Sequence, residues 1–161
     1  MRAGEEDTPS SHPVLSYTDQ MAASLYDPLL LLGRVLIGSI FVTSGFRKLS
    51  EIAVGNTGFV KSMSGRGLPE FLGWLAPPVE FFGGLAIVFG FGTRYAALLI
   101  LAFTLIATLS SHDYWHPRYA TQRDAQFGQF SKNVSMIGGI VLLFLTAGGR
   151  FSLDRLLRRK G

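Results

Sequence analysis

Residues 74–91 read Trp74-Leu75-Ala76-Pro77-Pro78-Val79-Glu80-Phe81-Phe82-Gly83-Gly84-Leu85-Ala86-Ile87-Val88-Phe89-Gly90-Phe91, an apolar run with a single carboxylate, Glu80. An ionisable side chain inside a membrane-length apolar run is costly, so it faces a bundle interior or a water-filled cavity. Pro77 and Pro78 stand just before it. Proline removes a backbone donor and clashes with the preceding turn, which predicts a kink or a break there. Gly83 and Gly84 follow Glu80 at i+3 and i+4 and thin the same helix face. Three other apolar runs surround this one, and none has a carboxylate inside it. The expected fold is all-α: an antiparallel four-helix transmembrane bundle whose second span is kinked at the Pro-Pro pair.

The totals agree. The chain has 161 residues, enough for one domain. Charged residues make up 16%, against about 25% in ordinary soluble domains, and mean hydropathy is +0.31. The absence of cysteine removes disulfide exchange, iron–sulfur clusters and thiolate metal sites as intrinsic chemistry. The net charge of +4 owes much to Arg155, Arg158, Arg159 and Lys160 after the last apolar run. These residues read as an anchor beside anionic lipid. Basic residues are nearly tied between the two sides. Cytoplasmic termini are expected because Arg47, Lys48 and Lys132 on the other side read as site residues and not as topology signals. Nucleic-acid binding has no supporting fold signature.

Residues 1–26 form a polar N-terminal tail, expected to be mobile, and too acidic at the start for a signal peptide. The membrane domain covers 27–155, with spans at about 29–47, 71–91, 94–112 and 131–148, and a basic tail covers 156–161. Asp27-Pro28 looks like a helix start, a capping Asp followed by Pro at the first helical position. Arg34, Gly38, Phe41, Gly45 and Lys48 share one face of the first span, and its glycines allow a neighbouring helix close. Within the connection after it, Phe59, Val60 and Met63 make a short amphipathic turn at the interface. Thr104, Thr108, Ser111 and His112 form a polar stripe toward the end of the third span. Tyr114 and Trp115 in the next connection fit an interfacial belt. Ser152-Leu153-Asp154 starts a basic turn or short helix.

Alternating span direction brings Lys48, Glu80, His112, Lys132 and Asn133 to one membrane level, opposite the termini. These five are the candidate ligand-binding residues; Arg34, Thr108 and His116 are secondary candidates. The bland alternative is that each group reaches separately for the headgroups. Glu80 resists that alternative best, because its side chain is short.

Four stretches in order resemble the DoxX family of small four-helix membrane proteins. They are Gly33-Arg34-Val35-Leu36-Ile37-Gly38 continuing to Ser44-Gly45-Phe46-Arg47-Lys48-Leu49; Glu80-x-x-Gly83-Gly84 with Gly90-x-Gly92-Thr93-Arg94; His112; and Lys132-Asn133 with Ile137-Gly138-Gly139, ending in Ser152-Leu153-Asp154. The resemblance covers about residues 28–155. It implies the fold, a membrane location and an association with redox physiology, since some members are subunits of quinone-linked sulfur-oxidising complexes and others accompany oxidative-stress enzymes.

Two readings of the polar cluster stand side by side. In the first, the protein is an accessory or quinone-binding subunit of a membrane redox system. His112 and Glu80 then exchange protons with the head, Lys48 and Asn133 orient an oxygen, and a partner protein supplies electrons. In the second, the protein is a non-enzymatic scaffold whose buried polar groups fix helix register. A small transporter is a weaker third, since the two halves show no inverted repeat. No intrinsic cofactor and no metal are expected. His112 and His116 are spaced i, i+4, but Pro117 follows at once, and the remaining histidine, His12, lies in the tail. The expected partners are the bilayer, a redox protein and further copies of the chain.

Overall fold

The computed structural model describes residues 13–112, 114–115 and 121–159. They form six helices and no strand: α1 (Pro13–Ala53), α2 (Gly58–Gly65), α3 (Phe71–Phe89), α4 (Thr93–Ser111), α5 (Arg123–Thr146) and α6 (Leu153–Arg158). Among these residues, α1, α3, α4 and α5 are long and apolar enough to cross a membrane. The 19 residues of α3 and of α4 span about 28 Å, close to the ~30 Å hydrocarbon core. The 41 residues of α1 span about 60 Å and outreach that core.

The four long helices pack in a ring, α1 on α3, α3 on α4, α4 on α5, with a looser closure of α5 on α1. Neighbours run antiparallel. Gly38 of α1 lies against Val88 and Gly84 of α3, whereas Gly45, further along α1, lies against Phe81, earlier in α3. A Cβ on Gly45 would stand 2.5 Å from the Phe81 backbone nitrogen, so only glycine permits this approach. Phe41, Ile87, Ala97, Ile100, Ile140 and Leu143 form the buried core. Large apolar side chains such as Leu36, Phe82, Leu109 and Leu142 cover the outside. That surface suits lipid and not water.

Several boundaries differ from the sequence expectation. Pro28 does not start a helix; it lies inside α1, which already includes residues 13–26. Asp27 is not a cap but accepts the Arg150 backbone N–H at 2.7 Å. α1 also continues past residue 47, through Glu51, which pairs with Arg47 one turn back. α5 starts at Arg123, well before residue 131. In both places helix-competent polar residues extend an apolar span, and hydropathy alone does not see the extension. α3 runs unbroken through Pro77 and Pro78. The short turn at Phe59, Val60 and Met63 is α2, with Val60 and Met63 buried against Gly73 of α3.

One end of the bundle is closed by a polar lock. The Arg34 side chain is fully buried, donates to the Gly148 carbonyl at 2.7 Å and also reaches the Phe151 carbonyl. It thereby fills acceptors left open after the last turn of α5. Asp154 of α6 accepts the Gly92 N–H at 2.7 Å, the Thr93 N–H at 2.9 Å and the Thr93 hydroxyl at 2.8 Å. A carboxylate from α6 thus caps the positive N-terminus of α4. Burial works to raise the Asp154 carboxyl, but the Thr93 and Gly92 hydrogen bonds and the Arg158 charge outweigh it and hold the group below its ordinary value. Gly90 (φ 68°) packs beneath this lock, and any Cβ there would collide with the Arg34 guanidinium.

Candidate functional site

The close approach at Gly45 sets the geometry at the other end. Lys48 is three residues beyond Gly45 on α1, and Glu80 immediately precedes Phe81 on α3. The antiparallel register therefore brings their side chains together, with Lys48 Nζ 2.5 Å from Glu80 Oε1. The Glu80 residue is only 3% exposed. Its Oε2 is buried without a hydrogen-bond partner among the described residues. A buried carboxylate normally has its acceptors filled, so an orphan oxygen calls for an explanation. Lys48 also stands 4.6 Å from the centre of the Phe59 ring, with Arg66 on the same ring at 5.9 Å. The aromatic face suits cations.

Below these groups lies a cavity of about 790 Å³, walled by α1, α2, α3, α4 and α5. Lys48, Glu80, His112, Lys132 and Asn133 all line it, so the structure brings together the five residues that the alternating spans placed at one level. Most of the remaining wall is apolar, including Ile40, Leu75, Leu99, Phe103 and Met136. The volume falls in the range of about 300–1,000 Å³ usual for small-molecule sites.

The wall from α4 and α5 is a chain of side-chain hydrogen bonds. Asn133 Nδ2 donates to Thr108 Oγ1 at 3.0 Å, and that hydroxyl donates to the Thr104 carbonyl at 2.6 Å. His112 Nδ1 meets Gln126 Oε1 at 2.9 Å. A carboxamide oxygen only accepts, so His112 Nδ1 is the donor in this contact. Lys132 Nζ donates to Gln129 Oε1 at 2.5 Å, and Arg66 Nη1 donates to Ser111 Oγ at 3.1 Å.

The secondary candidates fare differently. Thr108 stands behind Asn133 as its acceptor and not on the cavity wall. Arg34 belongs to the lock at the opposite end and takes no part in the cavity. His116 lies outside the described residues. Four contributors escaped the sequence reading: Phe59, Arg66, Gln126 and Gln129. The glutamines had a usable signal, since Gln126, Gln129, Asn133 and Met136 recur at steps of three, four and three on one helix face. Arg66 had none, because the path of the loop that carries it is set by α2 packing on α3.

The DoxX family model matches residues 29–113, which carry Lys48, Glu80 and His112. A model of the SURF4 family matches residues 80–160. The inner membrane protein YqjF of Escherichia coli is 37% identical over 84% of this chain and 97% of its own length. The inner membrane protein YphA of the same organism is 34% identical, over 79% of this chain and 89% of its own. CatD of Bacillus subtilis, whose name includes the word oxidoreductase, is 34% identical over 49% of this chain and 55% of its own length. No solved structure matches. The helices fit to cross a bilayer and these matches together make the chain an integral membrane protein that belongs to the DoxX family.

Proposed function

We propose that the cavity binds a quinone or a similar lipophilic molecule with hydrogen-bonding oxygens, and that the protein is an accessory, ligand-binding subunit of a redox system in the inner membrane. The observation that carries this reading is the Lys48–Glu80 pair on the wall of an apolar cavity, with Glu80 Oε2 buried and without a hydrogen-bond partner among the described residues. Once rotation of the Glu80 side chain turns that oxygen into the cavity, a quinol hydroxyl donates to it. A quinone carbonyl accepts from the ammonium of Lys48, which has donors to spare beyond its bond to Glu80. His112 is a further hydrogen-bonding group on the same wall. Electrons come from a partner protein, because the cysteine-free chain has no thiolate to hold a metal centre. The name of CatD and the inner-membrane names of YqjF and YphA support the redox setting and the location.

The buried Lys48–Glu80 pair also ties α1 to α3, which favours a scaffold as the second reading. Titration of the purified protein in mild detergent with a short-chain ubiquinone separates the two. The binding reading expects saturable binding that weakens at least about tenfold in Glu80→Gln and also weakens in His112→Ala, with both variants folded. Absence of saturable binding to the folded wild type, with both variants losing thermal stability, leaves the scaffold.

A further inference from the structure

Among the described residues, the cavity rim carries more positive charge than its carboxylates offset. Arg47 is paired with Glu51, and Lys48 with Glu80. Arg66 and Lys132 have no carboxylate partner among the described residues; each is held by a neutral acceptor, Ser111 Oγ and Gln129 Oε1. Each is thus held in place, with no carboxylate among the described residues to compensate its charge. Hydrogen bonds between such cations and an oxyanion are stronger than neutral ones. Both residues line the same cavity as Glu80. The rim also includes the carboxamides of Gln126 and Gln129, whose oxygens are engaged by His112 and Lys132. Their NH₂ groups remain as donors. Among the described residues, the rim thus holds more charged donors than carboxylate acceptors.

Depth matters as well. Glu80 lies on the cavity wall with its charge offset by Lys48, so the pair offers an anion no net attraction. An anionic group is held at the rim, while the apolar wall accepts only an uncharged body.

We infer that Arg66 and Lys132 form an oxyanion site for the phosphate-type head of an anionic amphiphile whose apolar body enters the cavity. This rests on the reading of the cavity as a ligand site, and it adds the charge and orientation of what enters. Because the same space takes the quinone, the two compete. The phosphate chemistry is available from a lipid headgroup or from free phosphate, and the apolar wall selects the lipid.

The test uses the full chain in neutral detergent with three probes: phosphatidylglycerol, phosphatidylcholine and inorganic phosphate. Lipid retention is read by native mass spectrometry, and displacement of a short-chain ubiquinone is read in parallel. The wild type is expected to retain phosphatidylglycerol over phosphatidylcholine, and phosphatidylglycerol is expected to displace the quinone. The preference for phosphatidylglycerol should fall about tenfold in Arg66→Gln/Lys132→Gln, as the two positive charges that favour a net-anionic head over a zwitterionic one are removed. It should weaken with added salt in the wild type and in the single variant Lys132→Gln, which alters an exposed residue and leaves folding intact. Glu80→Gln should keep the preference. Equal retention of the two lipids overturns the proposal. So does a preference unchanged in the variants, which would mark surface lipid only. Inorganic phosphate as effective as phosphatidylglycerol removes the apolar body from it. Failure of quinone binding with the lipid preference intact counts against the quinone reading and not against the rim.

Discussion

Lys48 Nζ and Glu80 Oε1 lie 2.5 Å apart, yet the other oxygen of Glu80 is buried and bonded to nothing among the described residues. A pair placed only to fasten two helices would have both oxygens filled, because an unsatisfied buried acceptor is costly. One oxygen of the carboxylate serves the fold, and the other is buried beside the cavity that the residue lines.

Removing one partner therefore differs from removing both. Glu80→Ala leaves a lysine without its counter-charge and should lose about 3–5 kcal/mol of stability. Lys48→Met/Glu80→Leu should recover most of that loss while ligand binding stays absent. Unfolding in detergent, followed together with quinone titration, measures both effects. A double variant that still binds with wild-type affinity would remove the pair from the site.

Gly45 determines whether the pair can form. Gly45→Ala places a Cβ 2.5 Å from the Phe81 nitrogen, so the helices must shift, with an overpacking penalty of about 1–3 kcal/mol. Ligand affinity should fall with stability, since Lys48 and Glu80 move apart. Gly33→Ala is the control. It meets nothing within 4 Å and should be neutral or stabilising by up to about 1 kcal/mol. Melting temperature and binding measured on both variants decide the matter.

The lock at the other end should affect stability and leave binding intact. Gly90→Ala forces a side chain into a left-handed conformation at φ 68°, about 1–2 kcal/mol of strain before its collision with Arg34 is counted. Arg34→Met leaves the Gly148 carbonyl unfilled. Both variants should melt earlier. At a temperature where they remain folded, both should bind cavity ligands as the wild type does.

Asp154 gives the lock a pH dependence. Its folded value lies below the ordinary 3.8, so its contribution is fully present above that value. It is lost as pH falls through the lower folded value. The stability difference between wild type and Asp154→Asn should therefore be constant from neutral pH down to about 4 and shrink below it. Thermal unfolding of both proteins across that window measures it. A difference that persists unchanged at the acid end would mean that the charge on Asp154 is not what caps α4.

Much of the cavity was legible in the sequence because two periodicities sufficed. Span alternation assigned Lys48, Glu80, His112, Lys132 and Asn133 to one level. Helical spacing put Gly38 and Gly45 on the face that α3 approaches. Asp27-Pro28 misled because a proline preceded by a short acidic residue reads as a helix start, whereas α1 continues through it. Arg34 misled because a buried cation looks like a ligand group until its carbonyl partners on Gly148 and Phe151, more than a hundred residues away, are seen.

Hydropathy and helical period alone determined the all-α membrane fold and the level at which its polar groups gather. Lipid leaves a backbone few options, and an ionisable residue in an apolar run must turn inward. Tertiary structure decided which oxygen of Glu80 is left free, that Arg66 and Phe59 join the site, and that Arg34 belongs to a lock and not to a cavity. Those facts depend on close approach between helices distant in the chain and on the path of α2, and no local pattern encodes either.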